Sequence, residues 1–344
     1  MLRWILSVFV VAVCVASWVL KPQRHMVSGL SMAPTFSPGD IVSSGWCPYI
    51  DPYFAPQRFE CWFLITPDGT PIIKRLFGLP GETIRFSEGD LAVNDTVVLT
   101  PPTVLADIGT FVTDCEAGNG SWQRFFASQV ILDDTDFSSE ESRRLLPVRD
   151  VGLSIEIDTV NLSHPCIQIR VGSQAIEWNL PPGKFGLVAG RLDGHLVASA
   201  WTLNAFSDPH DCLPLPTNPP GIWQICEHWK QLSDTPETAP TLAVRILKNN
   251  TLLDVESTEK HLKRCAIWRD ILHRSLGTDS TGWAIGPREV FVLGDFPSGS
   301  RDCRHWGPLP LSCLSHRITK VDNQTSSDTF KKPEASTNHL HAEQ

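Results

Sequence analysis

The longest apolar run of the chain lies at its N-terminus, where residues 4–20 carry no charged side chain. As an α-helix this run would be roughly 25 Å long, which is just enough to cross the hydrocarbon core of a bilayer. Trp4 and Trp18 would then stand near the two membrane interfaces. The pattern predicts an N-terminal membrane anchor over residues 1–22. A cleaved secretory signal peptide is the alternative, because residues 14–16 could serve as a small-residue cleavage site.

Beyond this run, apolar and polar positions alternate as they do in β-strands. Residues 72–77 form one candidate strand, with Ile72, Lys74 and Leu76 on the same face. Asp193-Gly194 stands between two apolar runs and predicts a hairpin. Further alternation with polar residues occurs at Leu153, Ile155, Ile157, Ile167, Ile169 and Val171.

Length and charge narrow the possible functions. The chain has 344 residues, enough for an anchor and two modest domains. With 42% hydrophobic and 19% charged residues, it is expected to form a packed core. Its net charge of -9 argues against a nucleic-acid partner, which would require a basic face.

Three short segments carry the candidate chemistry. The first contains a Ser-Met pair, in GLSMAPT at residues 29–35. The second contains a lysine within an apolar run, in KRLFGLPG at residues 74–81. The third lies near the C-terminus and reads GDFPSGSRDCRHWGP at residues 294–308. A serine and a lysine can form a nucleophile and base only if the lysine is held neutral.

In this order, the three segments resemble the bacterial type I signal peptidases. The patterns of that family are roughly G-x-S-M-x-P-T, then K-R-x-x-G-x-P-G, then G-D followed by S-x-D-S-R-x-W-G. Members cleave signal peptides from exported preproteins with a Ser-Lys dyad and require no cofactor or metal. The resemblance covers only the three segments and leaves the long middle of the chain unmatched.

The resemblance implies a mainly β fold behind one N-terminal transmembrane helix. A signal-peptidase-like antiparallel β catalytic domain would form in two parts, residues 26–90 and residues 286–316. Residues 91–285 would be an inserted β-rich module, and its closely spaced strands suggest a β-sandwich or jelly-roll-like arrangement. Residues 317–344 are polar without periodicity and are predicted to be a disordered tail.

The family also implies a location and partners. We expect a single-pass protein of the bacterial cytoplasmic (inner) membrane, with the catalytic domain on the outer face. Its partners would be the signal peptides of exported preproteins and the lipid bilayer.

The matched positions suggest individual roles. Ser31 is the candidate nucleophile and Lys74 the candidate general base. A free lysine has a pKa of about 10.4, so burial against neighbours such as Ile72 and Leu76 must lower the pKa of Lys74. Ser300 corresponds to the family serine that hydrogen-bonds and orients the lysine.

Other matched positions are expected to support the site. Asp302 and Arg304 correspond to an acidic and basic pair with a structural role, and Arg75 is another matched structural position. Met32 and Ile73 match positions that line the substrate pocket.

The oxyanion hole requires preorganised donors. The backbone N–H of Ser31 is one candidate, and we expect the second to come from the Gly29 backbone or a bound water. Some family members carry a serine hydroxyl at the position of Gly29, whereas here the serine lies one step earlier, at Ser28.

The third segment departs from the family pattern. Phe296-Pro297 stand where Asn-Arg is usual, and Cys303 replaces a serine. These departures leave open a catalytically degenerate relative whose β-rich insert binds a sugar or a protein. A self-cleaving Ser-Lys peptidase of the repressor type is a third possibility, but it would carry an N-terminal DNA-binding domain rather than an apolar run.

The chain contains ten cysteines, and Cys14 lies within the apolar run. An oxidising exterior would allow disulfides among the others, and Cys303 could pair with Cys313 or remain a buried thiol. One group could bind zinc, although a Cys212–Cys226 disulfide is the more ordinary interpretation, and no metal site is predicted. The group consists of His210, Cys212, Cys226 and His228.

Overall fold

The computed structural model describes residues 23–44, 55–87, 89–108, 110–112, 123–125, 148–172, 174–206, 224–228, 242–273 and 282–322. These residues are mainly antiparallel β-structure with a few short helices, which confirms that the fold is mainly β. None of the helices in this part of the chain is long and apolar enough to span a bilayer. The predicted anchor, residues 1–22, lies outside the described residues.

The elements are numbered along the chain. The strands of its first half are β1 (Gln23–Met26), β2 (Ile41–Ser44), β3 (Cys61–Ile65), β4 (Pro71–Gly78), β5 (Thr83–Ser87), β6 (Asp90–Val93), β7 (Thr96–Val97), β8 (Thr110–Val112), β9 (Gln123–Phe125), β10 (Val151–Asp158) and β11 (Pro165–Val171). The later strands are β12 (Gln174–Asn179), β13 (Lys184–Leu192), β14 (His195–Thr202), β15 (Gln224–His228), β16 (Leu242–Lys248), β17 (Thr251–Leu252), β18 (Leu262–Arg269), β19 (Trp283–Ala284), β20 (Glu289–Leu293), β21 (Leu309–Pro310) and β22 (Leu314–Asp322). The helices are α1 (Pro102–Ile108), α2 (Val255–His261) and α3 (Cys303–Trp306).

Two antiparallel sheets form the body that contains the three matched segments. A seven-stranded sheet has the order β1-β2-β22-β3-β4-β20-β21, and a four-stranded sheet has the order β19-β5-β6-β7. Side chains from both sheets share one core, which includes Leu76, Phe77, Ile84 and Phe291. Strand β4 lies between β3 and β20, so residues far apart in sequence meet at its centre.

The middle of the chain forms a separate sandwich. A six-stranded sheet has the order β15-β14-β13-β10-β18-β8, and a five-stranded sheet contains β12, β11, β16 and β17, with β9 also pairing with β16. Leu153, Ile155 and Ile157 of β10 pack in one core with Ile167 and Ile169 of β11. The alternation seen in the sequence therefore marks the inner faces of two packed sheets.

The sandwich joins the first body at both of its connections. On the entry side, Val104 and Ile108 of α1 pack with Ile271 and Phe59. On the exit side, the ring of His273 stacks on Phe86 at 5.3 Å between centroids.

Three carboxylates meet at this joint, two of them buried and that of Asp90 half-buried. Oxygen atoms of Asp90, Asp150 and Asp193 lie within 4.8 Å of one another. Arg191 Nε lies 3.3 Å from Asp150 Oδ1 and supplies positive charge there.

The structure corrects two domain boundaries. The insert was predicted to begin at residue 91, but β6 and β7 continue the sheet started by β5. Asn94 and Asp95 have φ of 48° and 65° and close this hairpin, a turn that the two residues adopt readily. Similarly, β19 pairs with β5, so residues 283 and 284, predicted as insert, also belong to the first body.

The tail boundary at residue 317 is also wrong, because β22 continues to Asp322. Residues 314–317 of this strand pair with β3 and residues 318–322 pair with β2, so the backbone hydrogen bonds of the sheet continue beyond residue 317 even though the sequence lacks apolar alternation. Residues 323–344 lie outside the described residues.

Candidate active site

Lys74 lies at the centre of β4 and is only 2% exposed. Its neighbours on the same strand face are the fully buried Leu76 and the half-buried Ile72, and Trp62 of β3 is its cross-strand partner. Burial among these side chains penalises the ammonium and lowers the pKa of Lys74 to about 8, although the charge of Asp302 acts in the opposite direction. The lysine is therefore much closer to neutrality at physiological pH than a solvated lysine.

Ser300 connects Lys74 to a carboxylate. Lys74 Nζ donates to Ser300 Oγ at 3.0 Å, and Ser300 Oγ donates its own proton to Asp302 Oδ2 at 2.8 Å. Because the hydroxyl proton is directed to Asp302, the oxygen is left to accept from the amine. This arrangement fixes the direction of the lysine side chain.

Ser31 lies in the loop between β1 and β2 and is half-buried. Its carbonyl oxygen accepts from the backbone N–H of Phe296 at 3.2 Å. A Cβ on Gly294 would lie 2.3 Å from this carbonyl and 2.2 Å from Ser300 Oγ, so both groups approach the glycine closely. The fold thus brings the serine loop next to the Lys74–Ser300 pair. Within the described residues, no hydrogen bond joins the side chains of Ser31 and Lys74.

Asp302 and Arg304 form a buried ion pair. Arg304 donates from Nε to Oδ1 and from Nη2 to Oδ2, both at 2.8 Å. Burial would raise the pKa of Asp302, but the hydrogen bonds and charge of Arg304 outweigh it and lower this pKa below its ordinary value. Asp302 Oδ2 also accepts from the backbone N–H of Gly294 at 3.0 Å. Arg304 Nη2 donates to the carbonyl of Pro297 at 2.8 Å, which closes the loop around Ser300.

The site contains a second buried ion pair, which was not predicted from the sequence. Arg75 donates from Nε to Asp295 Oδ1 at 2.9 Å and from Nη2 to Asp295 Oδ2 at 2.8 Å. Thr35 Oγ1 donates to Asp295 Oδ2 at 2.5 Å. Arg75, Asp295 and Thr35 come from the three different matched segments. Their places in the family patterns could have drawn attention to these residues, but nothing in the sequence identified them as partners of one another.

The predicted pocket residues lie together. Met32 is buried in a small apolar cluster with Val27, Phe36 and Val42, and the half-buried Ile73 packs against the same cluster. Gly29 is exposed, and a Cβ built on it would meet nothing within 4 Å. Its neighbour Ser28 is exposed as well.

The residues that depart from the family pattern fit their positions. Cys303 is fully buried, and its Sγ accepts from the backbone N–H of Val292 at 3.2 Å. Burial raises the pKa of this thiol to about 12. Cys303 and Cys313 are both free thiols. Phe296 is buried and holds the Ser31 carbonyl through its backbone.

The candidate zinc group falls outside the part of the chain whose side chains the structure describes. His210 and Cys212 lie outside the described residues, as do the side chains of Cys226 and His228.

Comparison with known proteins identifies relatives of the first part of the chain. Residues 1–110 match the family described as signal peptidase, peptidase S26. The chain is 35% identical over 79 residues to signal peptidase I V of Bacillus subtilis (strain 168), across 22% of this chain and 45% of that protein. It is 29% identical over 94 residues to signal peptidase I of Streptococcus pneumoniae serotype 4, across 27% of this chain and 43% of that protein. The chain thus spans less than half the length of these curated relatives. The family match contains Ser31 and Lys74 and ends before the third segment.

Proposed function

We propose that this relative of the type I signal peptidases is a membrane-anchored serine endopeptidase that cleaves signal peptides from exported preproteins. Ser31 is the nucleophile and Lys74 the general base. One observation carries the proposal: a buried lysine with a pKa of about 8 is oriented by Ser300 beside the loop that holds Ser31.

The lowered pKa gives Lys74 a usable fraction of free base. At pH 7 and a pKa of about 8, roughly one molecule in ten carries the neutral amine. At the ordinary lysine pKa of about 10.4, the fraction would be on the order of one in several thousand. Burial therefore increases the population of active base by about two orders of magnitude.

The reaction follows from these groups. The neutral amine of Lys74 takes the proton of Ser31 as the hydroxyl oxygen attacks the scissile carbonyl carbon. The backbone N–H of Ser31 and a donor at Gly29 stabilise the oxyanion of the tetrahedral intermediate. The ammonium of Lys74 then protonates the leaving amine, and the acyl group remains on Ser31.

Deacylation repeats the same steps with water. Lys74, neutral again, takes a proton from a water molecule that attacks the acyl carbonyl, and the proton returns to Ser31 as the ester breaks. Ser300 and Asp302 do not exchange protons with the substrate. They hold the amine in place through both half-reactions.

The substrate class follows from the site and from the anchor. The apolar cluster around Met32 and Ile73 supports selection of small side chains at the first and third positions before the cut. Ser31 follows the apolar run closely, and at about 3.5 Å per residue it stays within roughly 40 Å of the membrane. A signal peptide presents its cleavage point in the same zone. We place the protein in the bacterial cytoplasmic membrane, with its catalytic domain outside.

The contacts of the divergent residues favour an active enzyme over a degenerate relative. Cys303 packs inside the core of the first body, where its sulfur takes a backbone hydrogen bond. Ser300 keeps its bond to Lys74 despite the change at Phe296-Pro297. These substitutions leave the orienting contacts of the base intact.

Cleavage of a synthetic preprotein with Ala-x-Ala before the cut tests the proposal. The full chain, solubilised in detergent, is compared with Ser31→Ala and Lys74→Ala. Each change should lower cleavage by at least about 10³-fold because each removes a member of a single catalytic unit. Lys263→Ala, at an exposed lysine of the sandwich, is the matched control and should cleave like the wild type. Equal cleavage by all four proteins would refute the proposal.

A further inference from the structure

Thr35 belongs to the first matched segment, and its side chain forms hydrogen bonds with residues of the other two. It lies in the same loop as Ser31, and its hydroxyl donates to Asp295 Oδ2 at 2.5 Å. Thr35 Oγ1 also accepts from Arg75 Nη2 at 3.1 Å. A threonine hydroxyl has one proton and two lone pairs, so it can donate to the carboxylate and accept from the guanidinium at the same time. The carbonyl oxygen of Asp107 lies farther from this hydroxyl, at 3.3 Å.

Each of these two partners directly follows a residue of the proposed site. Arg75 comes next after Lys74 on β4 and is 2% exposed. Asp295 comes next after Gly294, which touches both the Ser31 carbonyl and Ser300 Oγ. The side chain of Asp295 is completely buried. A displacement of the Thr35 loop would therefore move the nucleophile relative to the base and to its orienting serine.

Met32 and Phe36 anchor the loop by apolar packing, but among the described residues few other hydrogen bonds join the loop to the rest of the protein. Its internal backbone bonds, Ala33 N–H to Leu30 O and Phe36 N–H to Met32 O, are both 2.9 Å long and shape the loop locally. The bond from Phe296 N–H to Ser31 O reaches the third segment. Thr35 supplies a hydrogen bond from a side chain of the loop to both other segments, and it binds charged groups, which strengthens such bonds.

We propose that Thr35 is a positioning residue that holds Ser31 in register with Lys74 through Arg75 and Asp295. The inference deepens the proposed function and rests on it. Thr35 does not touch substrate and moves no proton. Its hydroxyl fixes where the nucleophile stands, and the effectiveness of a base depends steeply on that placement.

The test compares Thr35→Val with Thr35→Ser in the full chain. Valine keeps the shape and removes the hydroxyl, whereas serine keeps the hydroxyl. Thr35→Val should lower kcat by about 10- to 100-fold, because a misplacement on the order of 1 Å can have that effect. KM should stay within about twofold, and the pH at which activity rises should not move, because Thr35 does not contact Lys74. Thr35→Ser should restore kcat to within about threefold of the wild type.

Hydrogen exchange gives a second measurement that needs no activity. The amides of Ala33 and Phe36 should exchange faster in Thr35→Val than in the wild type and Thr35→Ser. A Thr35→Val protein with wild-type kcat and wild-type exchange would overturn the inference. So would a serine variant as impaired as the valine variant. Failure of the proposed function looks different, because Ser31→Ala would then cleave as well as the wild type.

Discussion

Lys74 Nζ lies 3.0 Å from Ser300 Oγ, although 226 positions separate the two residues along the chain. The contact is buried, and the Ser300 hydroxyl donates its hydrogen bond to Asp302, which leaves its oxygen to accept from the lysine. A base held in this way can lose its proton without losing its direction.

The pH dependence of cleavage should report the lysine. Burial lowers the pKa of Lys74 to about 8, and only the neutral amine accepts a proton. We therefore expect kcat/KM to rise tenfold per pH unit below the pKa and to level off above about pH 8. The measurement is kcat/KM from pH 5 to 10 with a substrate that carries no ionisable group near the cut. A rise centred near pH 10, or a fall over this range, would contradict a buried base.

Ser300→Ala should reduce turnover without reducing binding. The change removes the oxygen that accepts from Lys74 Nζ, so the amine loses its orienting partner. We expect kcat to fall by about 10- to 100-fold with little change in KM, as for a group that acts on the base alone. Ser298→Ala is the matched control, since Ser298 is an exposed serine of the same loop. An unchanged kcat in Ser300→Ala would show that the lysine needs no such partner.

Gly294→Ala should lower activity because the added methyl group clashes with the site. The new methyl group would lie 2.2 Å from Ser300 Oγ and 2.3 Å from the Ser31 carbonyl, which no relaxed structure tolerates. Ser31 and Ser300 must separate, so cleavage should fall by at least about 10²-fold. Circular dichroism should show that the β-structure persists. Wild-type cleavage by this variant would mean that the two serines are farther apart than described.

Ser28→Ala should have little effect. Ser28 is exposed, and the proposed oxyanion donors are backbone groups of Ser31 and Gly29. We expect kcat to remain within about threefold of the wild type, compared with a loss of about 10²- to 10³-fold when a true oxyanion donor is removed. A loss of the larger size would make the Ser28 hydroxyl the second donor.

The carboxylates at the joint should make stability depend on pH. Burial, followed by the charge of Asp150, raises the pKa of Asp90 to about 10 and that of Asp193 to about 7. The pKa of Asp270 is also raised, and burial is again the largest cause. Each acid then binds its proton more tightly in the folded state. Its stabilising contribution is complete below the ordinary Asp pKa of about 3.8 and is lost as pH rises through the folded pKa.

Asp90→Asn tests this dependence, because an amide cannot ionise. We expect the variant to be more stable than the wild type at pH 8 by at least about 1 kcal/mol, with a smaller difference at pH 5. Urea unfolding followed by circular dichroism at the two pH values measures the effect. Asp95→Asn, at an exposed aspartate of the adjoining turn, is the control. A less stable Asp90→Asn at pH 8 would indicate that Asp90 is ionised and satisfied in the fold.

Local features were predictable where neighbours in sequence carry the signal. The alternation in residues 72–77 predicted β4, and the strand runs over Pro71–Gly78. Asp193-Gly194 predicted a hairpin, and the pair has φ of 49° and 72° between β13 and β14. In these cases side-chain periodicity and turn chemistry depend on a few adjacent residues.

Partners between distant segments were less predictable. From the sequence alone, Arg75 could have paired with any carboxylate. It pairs with Asp295 because the register of the β4–β20 pair sets Arg75 opposite Leu293. The role of β22 depends similarly on the two strands that accept it. The polar sequence of β22 does not indicate that β2 and β3 are its partners.

The chain's amino acids alone thus specified the β-rich class, the three matched segments and the residues that we propose as nucleophile and base. The packing of strands that are distant in sequence decided which groups meet, namely Lys74 with Ser300 and Thr35 with Asp295. The same packing buries Lys74 deeply enough to lower its pKa. Residue type and spacing are local properties. Distances and exclusion of water arise only when segments far apart in sequence close around one another.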